Sequence, residues 1–363
     1  LDSVAARVVH DRAFSPVSRG ERVYYGSSSD DGLHALDAAT GERLWTFYAE
    51  GPVRLAPFVG ETHLWFGSDD GFVYCLETET GALSWRERLA PEDRLIPSNG
   101  KLISPWPVRT GVAKANGVVY ATAGLFPEQG CWAFALDADT GASIWKTPLS
   151  QGLSPQGYLL VSPTRLYVPN GRTTPFALRR SDGAWQGQFG GPGGTWALLT
   201  ETELITGPND HGQLAVASRV GRDSIASFPG KQIVIRGGHS YLQTDTQLIA
   251  MNRARRAELT AERNALVAAM GALSEEASKA ERRRLEKKME TVGRLLEECL
   301  EWAATEELNS AIIVAGDQVI VGGEGLVRGR DVATGRQLWK AKVPGAVLEL
   351  AAADGRLFAS LES

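Results

Sequence analysis

Five histidines, three cysteines and a few carboxylate and arginine clusters are the residues whose types permit chemistry here. Their spacing permits little of it. His10, His34, His63, His211 and His239 are scattered along the chain, with no His-Glu-x-x-His and no pair at metal-ligand spacing. They read as surface or strand-end residues. Cys75, Cys131 and Cys299 lie far apart without a Cys-x-x-Cys spacing, which argues against a zinc ribbon or a thioredoxin-type motif. An odd count allows at most one disulfide, and the three read as ordinary half-buried thiols. Asp137-Ala138-Asp139 begins like a calcium loop but occupies a turn that needs no metal to explain it. Gly190-Gly191-Pro192-Gly193-Gly194 follows no βαβ pattern and reads as a flexible loop rather than a phosphate cradle. A Gly-x-Ser-x-Gly elbow is absent. Arg282-Arg283-Arg284 with Lys287 and Lys288 could hold phosphates or lipid headgroups. Glu281, Glu286 and Glu290 are interleaved at helical spacing, which favours a solvated helix face.

Composition narrows the class. Of 363 residues 43% are hydrophobic and 22% charged, a globular balance rather than a disordered one. The formal net charge is −5, from 38 basic and 43 acidic residues, which argues against nucleic acid as a partner. No apolar run approaches the ~18 residues of a membrane-spanning helix. The chain opens at Leu1 without a charged and apolar leader, so export is left open, and a piece of a longer protein is expected.

A repeat supplies the elements. Val23-Tyr24-Tyr25-Gly26-Ser27, Asp31-Gly32, Ala35-Leu36-Asp37, Thr40-Gly41 and Leu44-Trp45 recur as Leu64-Trp65-Phe66-Gly67-Ser68, Asp70-Gly71, Tyr74-Cys75-Leu76, Thr80-Gly81 and Leu83-Ser84-Trp85, 40 residues later. A third copy carries Ala135-Leu136-Asp137, Thr140-Gly141 and Ile144-Trp145, and a late one Thr334-Gly335 and Leu338-Trp339. Weaker copies fill the middle, and one resumes at Trp302, 37 residues before Trp339. That makes seven. Within a copy the runs alternate apolar and polar with period two, as half-buried strands do. Asp-Gly marks a hairpin, and Asp-Ala-x-Thr-Gly a turn whose side chains bond its own backbone. With one further strand before each copy, the unit is a four-stranded antiparallel blade of ~40 residues.

These motifs resemble the repeat of the PQQ (pyrroloquinoline quinone) enzyme-type β-propellers, the superfamily of the quinoprotein alcohol dehydrogenases and of outer-membrane assembly factor B. The resemblance covers nearly the whole chain apart from one insert. It implies an all-β fold, expected here as an eight-bladed β-propeller with seven blades as the alternative. Gly355-Arg356-Leu357-Phe358-Ala359-Ser360 starts an eighth copy, and residues 2–9 are expected to complete it by pairing the two ends. In the dehydrogenases of the superfamily the quinone lies between an indole floor and a disulfide of adjacent cysteines, beside a calcium ion and a catalytic aspartate. No two cysteines are adjacent here, and the calcium-ligand and carboxylate set has no counterpart. No cofactor is therefore expected, with PQQ and calcium as the alternative. A periplasmic or otherwise exported location rests on the resemblance alone.

Two stretches break the period. Trp85 to Trp145 is 60 residues, about 20 too many, and the surplus at 88–107 reads as a long loop over one face of the propeller. From Ala254 to Glu298 there is no proline, and 19 of 45 residues are charged. Leu285, Met289, Val292 and Leu296 step by four, three and four, one face of a helix. Gly271 and Ser274 mark a turn, so an antiparallel, coiled-coil-like helical hairpin is expected over 254–298. It would separate propeller segments 1–253 and 299–363. Two such helices are not expected to cover both apolar stripes unaided, leaving the hairpin to fold back or to dock a partner.

Any binding surface is expected at the mouth of a central channel, near the ends of the innermost strands. Arg54, Trp106, Arg109, Trp196 and Arg236 are the candidates, since arginine and tryptophan are enriched in recognition hot spots. No catalytic, cofactor-binding or metal-binding residue is assigned. The expected function is a non-catalytic binding or scaffolding module with a helical docking arm. Its partner would be a protein or another domain of the same polypeptide. The alternative is a quinone- or metal-dependent oxidoreductase.

Overall fold

The computed structural model describes residues 15–362 apart from 99, 151, 172, 192, 194, 195, 209–211 and 274–278. Its strands form four-stranded antiparallel sheets in chain order, spanning 17–48, 58–88, 113–148, 160–188, 196–229, 232–305 and 311–361. The first is built from Val17–Arg19, Arg22–Gly26, Gly32–Asp37 and Arg43–Tyr48. Its two middle strands are buried and its fourth is largely exposed. That gradient matches the sequence: Val23, Tyr24, Leu33 and Ala35 are buried, and Arg43 and Leu44 face solvent. The architecture is the all-β propeller that the repeat predicts.

Seven four-stranded sheets stand among the described residues, the number of the alternative, and the eight-bladed expectation is not confirmed. The cause lies in the last sheet. Its third strand, Gln337–Ala353, pairs along 337–346 with Gln318–Asp331 and along 347–353 with Arg356–Leu361. The segment read as opening an eighth copy pairs with the far half of that strand and is counted with the seventh sheet. The N-terminal strand expected at 2–9 lies outside the described residues.

Two compact units divide the chain. One holds 1–229 and 347–363, the other 230–346. In the first, the sheets are stapled in succession by the repeat's own tryptophans. Trp45 Nε1 donates to the Thr78 carbonyl at 3.2 Å, Trp85 to that of Ala138 at 3.1 Å and Trp145 to that of Arg180 at 2.9 Å. Each indole lies on the glycine of the following sheet's turn: a Cβ on Gly81 would meet Trp45 at 2.6 Å, and one on Gly141 would meet Trp85 at 2.7 Å. Both glycines also hold positive φ, near 71° and 75°. Thr-Gly therefore does two jobs, closing its own hairpin and seating a neighbour's indole. In the second unit Trp302 does the same, donating to the Val332 carbonyl at 2.9 Å and covering Gly335.

A register shift sits at one repeat position of all seven sheets, between Ala35 and Leu36 in the first and Gly329 and Arg330 in the last. It leaves one residue unpaired on the strand that carries the tryptophan, directly before that tryptophan in the copies that keep it. Such a bulge bends the outer strand and re-aims the side chain that follows.

The turn aspartates behave as their composition predicts. Asp137 Oδ1 accepts the Thr140 hydroxyl at 2.8 Å and the Thr140 and Asp139 amides at 2.9 and 3.1 Å. Asp37 and Asp331 do likewise. These bonds, first those from Thr40, Thr140 and Thr334, hold the three carboxyls below their ordinary range. Stability from a lowered carboxyl is complete above its unfolded value and is lost as pH falls through the folded one. The Asp137→Asn variant is expected to lose less stability on acidification from about pH 5 to about pH 2 than the parent. Urea midpoints across that range check it, and an unchanged acid limb would contradict it.

Helices α1 (Arg253–Gly271) and α2 (Lys279–Glu297) lie between strands Gln247–Asn252 and Leu300–Thr305 of the sixth sheet, which pair with each other beneath them. Asn252 caps α1 through its side chain, accepting the Arg255 amide at 3.0 Å. Leu259 and Leu266 of α1 are buried with Val292 and Leu296 of α2, with Met251 and Cys299 at the base. The expectation that the pair needs outside cover is corrected: the two stripes bury each other.

Candidate functional site

The tripeptide Pro-Val-Arg occurs twice, at Pro52-Val53-Arg54 and Pro107-Val108-Arg109, each leading into the first strand of the second or third sheet. Val53 and Val108 are buried, and their amides donate to the carbonyls of Ser27 and Ser68. Anchored alike, the two lead-ins present their arginines to one carboxylate. Arg54 Nε donates to Asp69 Oδ2 at 2.6 Å, while Arg109 grips both oxygens, Nε to Oδ1 at 3.1 Å and Nη2 to Oδ2 at 2.9 Å. The Asp69 side chain is 1% exposed and the arginines 13% and 19%. Burial pulls the Arg54 guanidinium below its ordinary value; Asp69 opposes that pull and Arg109 adds to it.

Asp70 is buried beside Asp69 but turned to other donors. Its carboxylate accepts the Tyr74 hydroxyl at 2.6 Å and the amides of Phe72 and Glu50 at 2.9 and 3.1 Å. Burial outweighs these bonds and raises the Asp70 carboxyl, and burial with the Asp70 charge raises the Tyr74 phenol.

The surplus loop is a clamp on this turn. It contains a short ribbon, Ile96–Ser98 with Lys101–Ile103, after which the Ser104 amide donates to the Asp69 carbonyl at 2.7 Å. Trp106 is buried. Its Nε1 donates to the Gln129 carbonyl at 2.7 Å, and the Arg94 guanidinium lies 5.0 Å from its ring centre. Of the five sequence candidates, then, Arg54 and Arg109 meet and Trp106 packs the loop behind them. Trp196 is half-buried in the first strand of the fifth sheet, Trp196–Leu199. Arg236 belongs to the second unit, where it is exposed and bonds the Gly316 carbonyl and Asp317.

Two residues that carried no sequence signal join the site. Tyr158, 37% exposed, accepts the Ala56 amide on its hydroxyl at 3.0 Å, and Gly157 donates to the Arg109 carbonyl at 3.2 Å. Enclosure of that hydroxyl raises the Tyr158 phenol; Ser15 and the Ala56 amide oppose this, and Glu349 adds to it. Glu349 is itself raised by burial. The doubled Pro-Val-Arg is a signal that could have paired the arginines in advance, whereas Tyr158 and Glu349 arrive from distant copies without a motif.

The residues do not fit the quinone arrangement implied by the family. Cys75, Cys131 and Cys299 are free, buried and apart, the first in strand Phe72–Glu77, the second just before strand Trp132–Asp137 and the third at the base of the helix pair, so the adjacent sulfur pair that would cover the ring is not present. Burial pushes the Cys75 and Cys131 thiols up to about 12 and about 11. Among the described residues no three His, Cys, Asp or Glu side chains cluster as a metal site. His34 is a core residue between Thr46 and Asp30, and His239 pairs with Glu301 in another sheet. His10 and His211 lie outside the described residues. No described helix is long and apolar enough to cross a membrane.

The class defined by these sheets and their indole staples is the PQQ-repeat β-propeller. The family model described as outer membrane protein assembly factor BamB matches residues 3–121 and 69–358, and the chain belongs to that family. Among curated proteins it is similar to the 1-butanol dehydrogenase (quinone) of Thauera butanivorans, 26% identical over 140 residues. It is also similar to the quinoprotein ethanol dehydrogenase of Pseudomonas aeruginosa, 30% identical over 141. Each match covers 36% of this chain and 22% of the relative, so the matched stretch is about a fifth of those enzymes. Among solved structures, BamB from Moraxella catarrhalis superposes with a TM-score of 0.60 at 15% identity, over 97% of this chain and 92% of that one. The quinohemoprotein alcohol dehydrogenase of Comamonas testosteroni gives 0.64 at 13%, over 97% and 71%.

Proposed function

We propose that this propeller is a non-catalytic binding or scaffolding module whose partner is a protein surface, on a second protein or elsewhere in the same polypeptide. One observation carries the reading. The structural residues of the repeat are kept from sheet to sheet, whereas the paired sulfurs that would hold a quinone are replaced by three separated, buried thiols. The family match to an assembly factor and the whole-length superposition on BamB favour the same side. The recognition surface centres on Arg54 and Arg109. The hairpin of α1 and α2 is a second docking element. Its apolar seam is closed, so it would engage a partner through its charged outer faces.

The runner-up, a quinoprotein-type oxidoreductase, is favoured by the identity to the two alcohol dehydrogenases. Dye-linked alcohol oxidation after adding PQQ and calcium separates the readings. No turnover above a protein-free control is expected, and quinone-dependent turnover would overturn the proposal.

A further inference from the structure

We propose that the outer face of α2 is a docking surface for the anionic headgroups of a lipid bilayer. The inference goes beyond the proposed protein partner and assigns that face to a membrane surface.

The distribution of charge comes first. Along the sequence the glutamates of α2 alternate with its cations, but at about 100° per residue the two kinds separate on the helix. Arg283, Arg284, Lys287, Lys288 and Arg294 fall within an arc of about 140° that holds no acidic residue. Glu286, Glu290 and Glu297 lie beyond the Arg283 edge of that arc, and Glu281 lies beyond the Lys288 edge. The apolar seam of Leu285, Met289, Val292 and Leu296 is on the far side. All five cations are exposed, and none of them forms an ion pair or a side-chain hydrogen bond among the described residues. In α1, Glu258 is spent on Arg255 at 2.9 Å.

The occupant follows from the chemistry of that face. Protein recognition concentrates on aromatic and arginine anchors seated in desolvated pockets. Residues 253–297 contain no Trp, Tyr or Phe, and the five cations stand exposed along one helix. Mobile lipid phosphates need no pocket: they gather beneath exposed lysines and arginines, and each such residue adds to the attraction. Residues 283–294 span roughly 17 Å, so the column can lie along a bilayer and meet several headgroups at once. Leu259, Leu266, Val292 and Leu296 cover one another, which leaves the hairpin no open apolar stripe to insert. The attachment is therefore electrostatic, and it must fade as added salt shortens the Debye length below ~10 Å.

Sedimentation of the full chain with vesicles tests this, using phosphatidylcholine alone or with about one third phosphatidylglycerol. The protein should pellet with the anionic vesicles at about 0.05 M salt, stay in solution with the neutral ones and be released at about 0.5 M. Affinity should fall about tenfold or more in Arg283→Gln/Lys287→Gln and in Arg284→Gln/Lys288→Gln. Lys340→Gln/Lys342→Gln makes the same change in net charge at exposed positions of the seventh sheet and should bind as the parent does. So should Arg283→Lys/Arg284→Lys, because a bilayer reads charge rather than the guanidinium fork. Thermal melts establish that each variant is folded. Lys287→Gln alone, with a loss of about threefold or more, replaces a double variant that is not. Inorganic phosphate and a hexaglutamate peptide, at matched ionic strength, should release the protein no more than sodium chloride does. No binding to anionic vesicles, equal binding to neutral ones or retention at high salt would each overturn the site. So would parent-strength binding in the α2 glutamine variants, or loss in the Lys340/Lys342 or arginine-to-lysine variants. Selective release by phosphate would overturn it in favour of a soluble anion, and selective release by hexaglutamate in favour of an acidic protein. Missing vesicle binding without quinone turnover removes the site and leaves the binding-module reading. Quinone turnover with vesicle binding intact removes that reading and leaves the site.

Discussion

Replacing Glu306 by leucine is expected to lower stability by about 3–5 kcal/mol, because it strands two guanidiniums in a nearly dry setting. The Glu306 side chain has no exposed surface, and Arg328 and Arg330 are 20% and 11% exposed. Oε1 accepts Arg328 Nη1 at 2.5 Å and Oε2 accepts Arg330 Nε at 2.8 Å. Arg330 spends its other nitrogens on the carbonyls of Gly335 and Thr305, at 2.9 and 3.0 Å. It therefore ties the turn of the seventh sheet to the last strand of the sixth. Arg328 Nε is already buried without a partner, so this arginine has no reserve of hydrogen bonds. The triple variant Glu306→Leu/Arg328→Met/Arg330→Leu is expected to recover most of the loss, since a buried ionic group exchanged whole for apolar side chains is often neutral. Urea unfolding read by tryptophan fluorescence measures both. A loss under about 1 kcal/mol for the single variant would contradict the assignment.

Trp65→Ala is expected to lose a comparable amount, about 3–5 kcal/mol. Trp65 is 4% exposed and packs in a core with Val73, Val119 and Leu136, with Lys114 Nζ 4.6 Å from its ring centre. Its Nε1 donates to the Ala138 carbonyl at 3.1 Å, the acceptor that Trp85 also uses. One substitution thus opens a cavity and removes half of a two-indole link between the second and third sheets. Trp65→Phe keeps most of the volume and should lose only about 1 kcal/mol. Trp185 provides the contrast. It is 45% exposed, and the fourth sheet pairs Gly187 where the first and third pair tryptophan. Its alanine variant should stay within about 0.5 kcal/mol of the parent. Equal losses at Trp65 and Trp185 would show that the indoles matter only as bulk.

How far the sequence carries depends on the range of the interaction. The Asp-Ala-x-Thr-Gly turn is written in five consecutive residues, and Asp137 bonds its own loop as those residues imply. The alternating runs are equally local, and the helical insert announces itself by losing that alternation. The number of sheets is a different matter. It turns on the strand 337–353 serving two partners, 318–331 over its first half and 356–361 over its second, pairings between segments that no short motif marks. The helix seam follows the same logic: the spacing of Leu285, Met289, Val292 and Leu296 shows a stripe, but Leu259 and Leu266 across the pair decide that it is covered. At the site, arginine and tryptophan content picked Arg54, Trp106, Arg109, Trp196 and Arg236 as equals. Asp69 separates them, because only two reach it. Tyr158 enters through a hydrogen bond to an amide 102 positions earlier, beyond the reach of any motif.

The proposed scaffold role requires that this quinone-enzyme repeat bind no quinone. Equilibrium dialysis of the full chain against PQQ with calcium, run alongside the dye-linked oxidation, tests it most directly. The account predicts equal quinone on both sides of the membrane and no alcohol-dependent dye reduction. One equivalent of quinone retained by the protein, with turnover to match, would contradict it.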